Sequence, residues 1–313
     1  MAHAITYTEF GGPEVLSFTE VPDPRPAAGQ LAVRVEAAGV NPIEWKIRKG
    51  LRASGPIEEP RRVGADGAGI VTAVGDGVDG FRPGDAVAFF GANGAYATDV
   101  VVDASKTYPR PETVSAAEGA ALGIPVGTAY QTLRSLGVGA GDTLLLHAGS
   151  GSVGQAAIQY AVLWGATVIA TTSDRRADRV RSVGATPVPY GNGLADRVRE
   201  AAPQGVTVIL DAAGTDEAIE ASLELLHDRP RIATVVRGRD AAGWGIRAFS
   251  GGNPTPLTPQ QLAWRAEAMP VSLALMAAGA FSVELGPSFA LTDAAEAHRA
   301  VEAGADGKVT LTP

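Results

Sequence analysis

Cysteine is absent from this 313-residue sequence. Its absence excludes disulfides, thiolate nucleophiles and any zinc site built on cysteine. Histidine is nearly as scarce. The four present (His3, His147, His227, His298) share no metal-ligand spacing, so no metal is expected. Positive charge is in deficit too, with 26 Lys and Arg against 34 Asp and Glu, which leaves no footprint for nucleic acid or an anionic membrane. No run reaches the roughly 18 consecutive apolar residues that a spanning helix needs. The start, MAHAITYTEFGGPEVL, lacks the cationic end and apolar core of a signal peptide. A cytoplasmic protein with no membrane or nucleic-acid partner is expected. What is there is an ordinary globular composition, 45% hydrophobic and 19% charged, at a length that suits two domains.

The first third reads as β-rich. Residues 31–37, 69–74, 85–90 and 98–102 are short β-branched runs between punctuation such as Gly75-Asp76-Gly77 and Arg82-Pro83-Gly84-Asp85. That spacing predicts a compact, barrel-like antiparallel unit. Near residue 115 the texture changes. The pattern predicts a helix over 115–136 broken at Pro125. Strands at 143–147, 167–171, 206–210 and 231–236 then alternate with helices at 151–164, 175–182 and 217–226. Such alternation builds a parallel sheet covered on both faces. After the Gly/Pro-rich stretch 250–256 come a helix over 258–278, a strand at 281–285, a helix over 293–301 and a strand at 308–311. The irregular stretches 51–62 and 237–257 are expected to shape a pocket.

One turn carries chemistry. The run Leu144-Leu145-Leu146-His147-Ala148-Gly149-Ser150-Gly151-Ser152-Val153-Gly154 places a full G-x-G-x-x-G after an apolar strand and before a helix. The first glycine permits a tight turn, the second lets backbone approach a diphosphate, and the third lets helix pack closely on strand. Free amides and the positive end of the helix dipole hold the phosphates. With 39 glycines in the chain the bare pattern is weak, and the bland reading is a βα turn that binds nothing. The strand–turn–helix setting favours a dinucleotide site.

The second strand ends at Thr171, where NAD enzymes usually carry an acid for the ribose 2′-hydroxyl. Thr172, Ser173, Asp174, Arg175 and Arg176 follow. Arg175 and Arg176 suit a 2′-phosphate through charge-assisted forks, and Ser173 adds a hydrogen bond. NADPH is therefore the expected cofactor. NADH is the alternative if Asp174 takes the ribose instead of capping the following helix, as Asp174 or Ser173 is expected to do. The bland reading of the arginines is a solvated helix start.

Further motifs stand in order: Ala38-Gly39-Val40-Asn41-Pro42 with Trp45, Lys46, Arg48 and Gly50; GIVTAVGDGVDGFRPGD over 69–85; Gly94-Ala95-Tyr96-Ala97; LGIPVGTAYQTL over 122–133; and Gly307-Lys308-Val309-Thr310-Leu311. Nearly end to end, the chain resembles the medium-chain dehydrogenase/reductase superfamily in its zinc-independent quinone oxidoreductase branch. The resemblance implies an α/β fold: a Rossmann doubly wound parallel sheet (residues 122–262) inserted in a discontinuous GroES-like β-barrel domain (1–121 and 263–313). It also implies cofactor contacts. Ser150 to Gly154 would hold the diphosphate, and Ser173, Arg175 and Tyr190 the adenine ribose phosphate. Thr128, Ala213 and Gly214 would line the nicotinamide end, and Lys308 falls in a segment that reaches the cofactor. Tyr190 as a loop aromatic and Lys308 as an exposed edge-strand charge are the bland alternatives. Zinc-dependent relatives carry a cysteine where this chain has Asn41, and a His-Glu pair where it has Ala65-Asp66. His147, ending a buried strand, reads as a core histidine.

Without zinc no Lewis acid polarises an alcohol or carbonyl, so an activated acceptor is expected. Quinones and conjugated carbonyls take hydride at carbon and spread charge to oxygen, and the nicotinamide carries most of the reactivity. Asn41, Tyr96 and Tyr130 are the candidate catalytic groups, as hydrogen-bond or proton donors to the acceptor oxygen. Turn-shaping by Asn41 and packing by the tyrosines compete with those roles. Three readings follow: an NADPH-dependent quinone reductase, an enoyl or 2-alkenal reductase of the same fold, or an NADPH-binding sensor or structural protein with little turnover. The partner is a small-molecule quinone or enone, and pairing as a homodimer through the Rossmann sheet edge is implied by the resemblance.

Overall fold

A computed structural model describes residues 1–52, 54–249 and 255–313. Ala53 and Ser250–Pro254, within the two expected pocket-shaping stretches, lie outside the described residues. The chain divides into two compact units, Met1–Ile124 with Met269–Pro313 and Pro125–Ala268. The changes of unit fall at 124/125 and 268/269, where sequence reading put them at 121/122 and 262/263. Both lie inside helices, Ala116–Leu136 and Pro259–Ala277, beside Pro125 and Pro270. Helical periodicity runs through such junctions without a loop signal.

The unit built from both chain ends is antiparallel at heart. The long strand Gln30–Gly39 pairs antiparallel with Asp66–Val74, Asp99–Asp103 and the C-terminal strand Lys308–Thr312. Ala86–Phe89 and Thr107–Pro109 extend the sheet on one side, and Leu285–Ala290 on the other. A separate three-stranded sheet joins Ser17–Val21, Ala2–Tyr7 and Arg61–Arg62. The core between them holds Ile5, Leu31, Val33, Val71, Val87, Phe89, Tyr96 and Leu311, each at most 2% exposed. At about 25 cal/mol per Å², each large apolar side chain so buried contributes about 1.5–3 kcal/mol.

The other unit holds six parallel strands in the order Thr186–Pro189, Thr167–Thr172, Thr143–His147, Val208–Asp211, Ile232–Thr234, Arg247–Ala248. Numbered along the chain this is 3-2-1-4-5-6, the doubly wound Rossmann order, and the strand order reverses at Thr143–His147. That strand is central and fully buried, so it reads as a continuous apolar run and not as an alternation.

Several boundaries differ from those read in the sequence. The helix 116–136 breaks at Gly123 (φ 15°, ψ −107°), and Pro125 sits in the first turn beyond the break, where its missing N–H costs nothing. The stretch 175–182 is a 3-10 turn, Asp174–Arg176, followed by the helix Ala177–Ser182. Neither Ser173 nor Asp174 caps it through a side chain. The expected strand 281–285 lies at Leu285–Ala290 instead. Phe281 to Glu284 alternate like a strand, yet the parallel pairing with Lys308–Thr312 takes Leu285 and Ser288–Ala290, with a register shift between. Among the described residues no helix is long and apolar enough to cross a membrane.

Candidate active site

The glycine turn follows the central strand at the point where strand order reverses. Gly149 donates its amide to the Thr171 carbonyl (2.9 Å), and Gly151 donates to the Ala148 carbonyl (3.2 Å). Ala148 adopts φ 61°, alone among the described non-glycine residues in the left-handed region, at a cost of about 1–2 kcal/mol. The helix Ser152–Leu163 starts from Gly151, so Ser152, Val153 and Gly154 present the first amides, which helix geometry leaves without intrahelical acceptors. The three glycines divide their tasks. A Cβ at Gly149 would lie 2.6 Å from the Ala170 Cβ, and one at Gly154 would collide with the Ala148 carbonyl oxygen. A Cβ at Gly151 would meet only that oxygen, at 3.6 Å. The first and third glycines serve packing, while the second borders open space.

Side chains brace the turn from behind. Gln155 Nε2 donates to the Ser150 carbonyl (2.7 Å), and Thr171 Oγ1 accepts from the Ala148 amide (3.1 Å). His147 is buried between Ser222 Oγ (3.1 Å) and Thr171 Oγ1 (3.4 Å). Burial pushes it down to about 4, so it is a neutral core histidine.

At the end of the neighbouring strand Thr167–Thr172, Ser173 begins the turn that carries Asp174, Arg175 and Arg176. Arg175 is exposed. Arg176 is half-buried and reaches the Ser150 carbonyl (3.4 Å), which ties the arginine turn to the glycine turn. Tyr190 follows the strand Thr186–Pro189, one residue past the Thr172–Pro189 pair, and is 61% exposed. Tyr190 and Ser173 thus each stand one residue past paired positions of neighbouring strands.

The residues assigned to the nicotinamide end are held firmly. Ala213 and Gly214 donate their amides to Oδ1 of the buried Asp211 (3.0 and 2.8 Å), whose Oδ2 accepts from Thr234 Oγ1 (2.7 Å). Their backbone is positioned by Asp211, and those two amides do not face a ligand. Thr128 is buried and accepts from Arg265 (3.4 Å). Tyr130 is also buried. Its hydroxyl donates to Glu267 (2.8 Å), and its ring packs edge-on against Tyr160 and Trp164. Burial and the Glu267 carboxylate push the phenol up to about 12. Packing, not proton donation, is what this geometry provides.

In the antiparallel unit, Asn41 and Lys308 meet in a buried polar network. Asn41 caps the helix Pro42–Arg48 in a capping box whose third-position partner is Glu44. Glu44 Oε2 accepts from the Asn41 amide (2.6 Å) and from Tyr96 Oη (2.6 Å), and Oε1 accepts from the Ala65 amide (3.1 Å). Asn41 Nδ2 donates to Asp66 Oδ2 (2.9 Å), with longer contacts to Glu44 Oε1 (3.3 Å) and the Gly39 carbonyl (3.4 Å). Lys308 Nζ donates to Asn41 Oδ1. Asp66 Oδ2 also accepts the Ile124 amide (2.8 Å), filling the space a side chain at Gly123 would need.

Three expectations change here. Lys308 is 4% exposed, not an open edge-strand charge. Both amide hydrogens of Asn41 are engaged inside the network, so it has none to offer an acceptor oxygen. Tyr96 is fully buried with its hydroxyl on Glu44. Burial pushes Glu44 up to about 7 against the hydrogen bonds and the Lys308 charge that favour its anion, and burial lowers Lys308. Glu44 and Asp66 were not singled out as site residues from sequence. The Asn41-x-x-Glu44 spacing marks Glu44 as a capping-box partner, whereas nothing local announces Asp66.

This donor set does not fit zinc. It offers an amide oxygen, two carboxylates and a lysine ammonium already bound to the amide, with Ala65 contributing no ligand. Among the described residues no three His, Asp or Glu side chains cluster to hold a metal.

Comparison with known proteins follows this division of the chain. Residues 27–112 match the alcohol dehydrogenase GroES-like domain family, and residues 152–242 the zinc-binding dehydrogenase family. Quinone oxidoreductase of Rattus norvegicus is 36% identical over 242 residues, covering 75% of this chain and 73% of the rat protein. A mycobacterial structure complexed with NADPH is 32% identical at TM-score 0.84, covering all of both chains. Escherichia coli quinone oxidoreductase complexed with NADPH is 28% identical at TM-score 0.83, covering 99% of this chain and 100% of that one.

Proposed function

This chain belongs to the quinone oxidoreductase-like medium-chain dehydrogenases/reductases, and on that footing we propose that it reduces a quinone or related conjugated carbonyl with NADPH, in the cytoplasm and without zinc. It is an NADPH-dependent oxidoreductase. One observation carries the reading: the glycine turn leaves open space at Gly151 directly before three helix-start amides. A diphosphate placed there meets N–H donors and the positive end of a helix dipole.

Bound at this turn, the reduced nicotinamide supplies a hydride to the acceptor carbon. The chain's own residues bind and orient. The amides of Ser152, Val153 and Gly154, with Ser150, take the diphosphate. Arg175, Arg176 and Ser173 take the 2′-phosphate, supported by the absence of an acid at the end of Thr167–Thr172. Tyr190 stacks the adenine, and Thr128 with the backbone of Ala213 and Gly214 shapes the nicotinamide end. The donor set around Asn41 favours the zinc-free reading, and an activated acceptor follows from it. A homodimer formed along a Rossmann sheet edge belongs to the same reading, and the mass of the protein in solution tests it.

The deciding assay incubates pure protein with NADPH or NADH and follows loss of the reduced cofactor with quinones, enones and aldehydes. Quinone turnover with NADPH preference, unchanged after exhaustive chelation, is the expected result. Turnover confined to enones would make it an alkenal reductase. Tight NADPH binding without any turnover would make it a sensor. Activity lost on chelation and restored by Zn²⁺ would overturn the zinc-free assignment.

A further inference from the structure

Tyr190 leads from its strand into the run Gly191-Asn192-Gly193, and both glycines stand in the left-handed region (φ 103° and 78°). Such a run is loose by composition, because glycine gives the backbone its widest choice of conformations. An aromatic side chain can pin a loop by burying itself, yet the Tyr190 ring is 61% exposed. The loop is held by its main chain instead. Arg197, on the helix Leu194–Ala201, donates Nε to the Pro189 carbonyl (3.0 Å), Nη1 to the Asn192 carbonyl (2.6 Å) and Nη2 to the Gly191 carbonyl (2.7 Å). From the helix Asp216–Leu225, Glu217 Oε1 accepts the Gly191 amide hydrogen (2.7 Å). One guanidinium and one carboxylate thus close on the backbone to either side of Tyr190 and leave its ring outside. Charge-assisted bonds from a rigid fork are a strong restraint. An exposed ring held this way has lost its freedom on folding, so a ligand that meets it does not have to order it on binding.

We propose that Arg197 and Glu217 are positioning residues of the cofactor site, holding Tyr190 ready to stack on the adenine ring. The inference rests on the role given to Tyr190 above and adds the groups that make that contact rigid. All the residues involved belong to the unit Pro125–Ala268. The Thr172–Pro189 pair sets Tyr190 beside Ser173 at the carboxyl ends of neighbouring parallel strands, the end where doubly wound sheets take their ligands. Adenine is common to NADPH and NADH. The clamp therefore serves both cofactors alike, and reading of the 2′-phosphate stays with the arginine turn.

The test is a cycle of Tyr190→Ala, Arg197→Met and the double variant, with NADPH and NADH titrated into each by nicotinamide fluorescence. Each single variant should weaken both cofactors at least fivefold. The double variant should bind within twofold of Tyr190→Ala, since a clamp has no effect once its ring is gone. Losses that multiply in the double variant overturn the proposal, because they mark general support of the fold. Weakening of NADPH alone also overturns it, by making Arg197 a phosphate contact. A second readout needs no cofactor. Chymotrypsin cuts after tyrosine, and its rate at Tyr190–Gly191 reports local opening of the loop. Arg197→Met and Glu217→Ala should each be cut there at least tenfold faster than wild type, and equal rates overturn the proposal. If Arg197→Met does not fold, Glu217→Ala takes its place in the cycle. A wild type that binds neither cofactor would sink the reductase reading and this inference with it, whereas binding that the clamp variants leave unchanged would sink the clamp alone.

Discussion

Gly149 gives its amide to the carbonyl of Thr171, 2.9 Å away on the neighbouring strand. The first glycine of the turn is thus anchored to the sheet, and on the proposed function the diphosphate falls to the residues after it. From this division of labour the glycine substitutions should separate.

Gly151→Ala should fold normally, with stability changed by less than about 1 kcal/mol, because its Cβ meets one atom at 3.6 Å. NADPH affinity should drop tenfold or more, since the methyl occupies the diphosphate's approach. Gly154→Ala should cost about 1–3 kcal/mol of stability, since its Cβ strikes the Ala148 carbonyl and lies 2.8 Å from the Gly149 Cα. Thermal melts and NADPH fluorescence titrations of both variants check this. Identical behaviour of the two would remove the distinction.

Replacing Arg175 and Arg176 together with alanine should weaken NADPH by 10- to 100-fold and NADH by less than threefold. Each charge-assisted hydrogen bond to a phosphate is worth about 1.5–3 kcal/mol. Titration with both cofactors is sufficient. Equal weakening would show that the arginines do not read the 2′-phosphate.

Tyr130→Phe should lower stability by about 1 kcal/mol, through loss of the bond to Glu267, and leave turnover within twofold of wild type. A tenfold slower turnover in a folded variant would restore this hydroxyl to the chemistry. Tyr96→Phe should cost more, about 1–3 kcal/mol, because the buried Glu44 carboxylate loses a donor that nothing replaces.

His298 is fully buried, lies edge-on to Tyr96, and has neither ring nitrogen hydrogen-bonded. Burial, then the Arg48 charge, lowers it to about 3. It therefore stays neutral in the fold while the unfolded chain takes up a proton below about 6.5. The stability it contributes is complete above pH 6.5 and is lost as pH falls towards 3, at about 1.4 kcal/mol per pH unit. Glu44, raised to about 7, acts with the opposite sign: its contribution is complete below its ordinary 4.5 and is lost as pH rises through 7. His298→Phe isolates the histidine. It should be neutral or stabilising at pH 8, and it should flatten the acid limb of a denaturation series between pH 6.5 and 4. An unchanged acid limb would show that His298 finds a proton partner in the fold.

The glycine turn and the arginine turn were legible as local structure because their signals lie in neighbouring residues. A turn after an apolar strand, three glycines at fixed offsets and a basic pair at the next strand end are local patterns, and the fold keeps them local. The break in the long helix misled because proline is the louder signal. Gly123 breaks there because the Asp66 carboxylate, distant in sequence, takes the space beside it. The capping box at Asn41 and Glu44 was written in the chain, but its meaning was not.

Sequence alone determined the doubly wound alternation of strand and helix and the glycine turn that follows the central strand, since each follows from periodicity or spacing. Only the tertiary structure decided which polar groups remain open to a ligand. It closed Asn41, Tyr96 and Tyr130 into internal hydrogen bonds and brought Lys308 from the last strand onto the amide of Asn41. Hydrogen-bond satisfaction in a low-dielectric interior depends on partners hundreds of residues apart, and no local pattern records it.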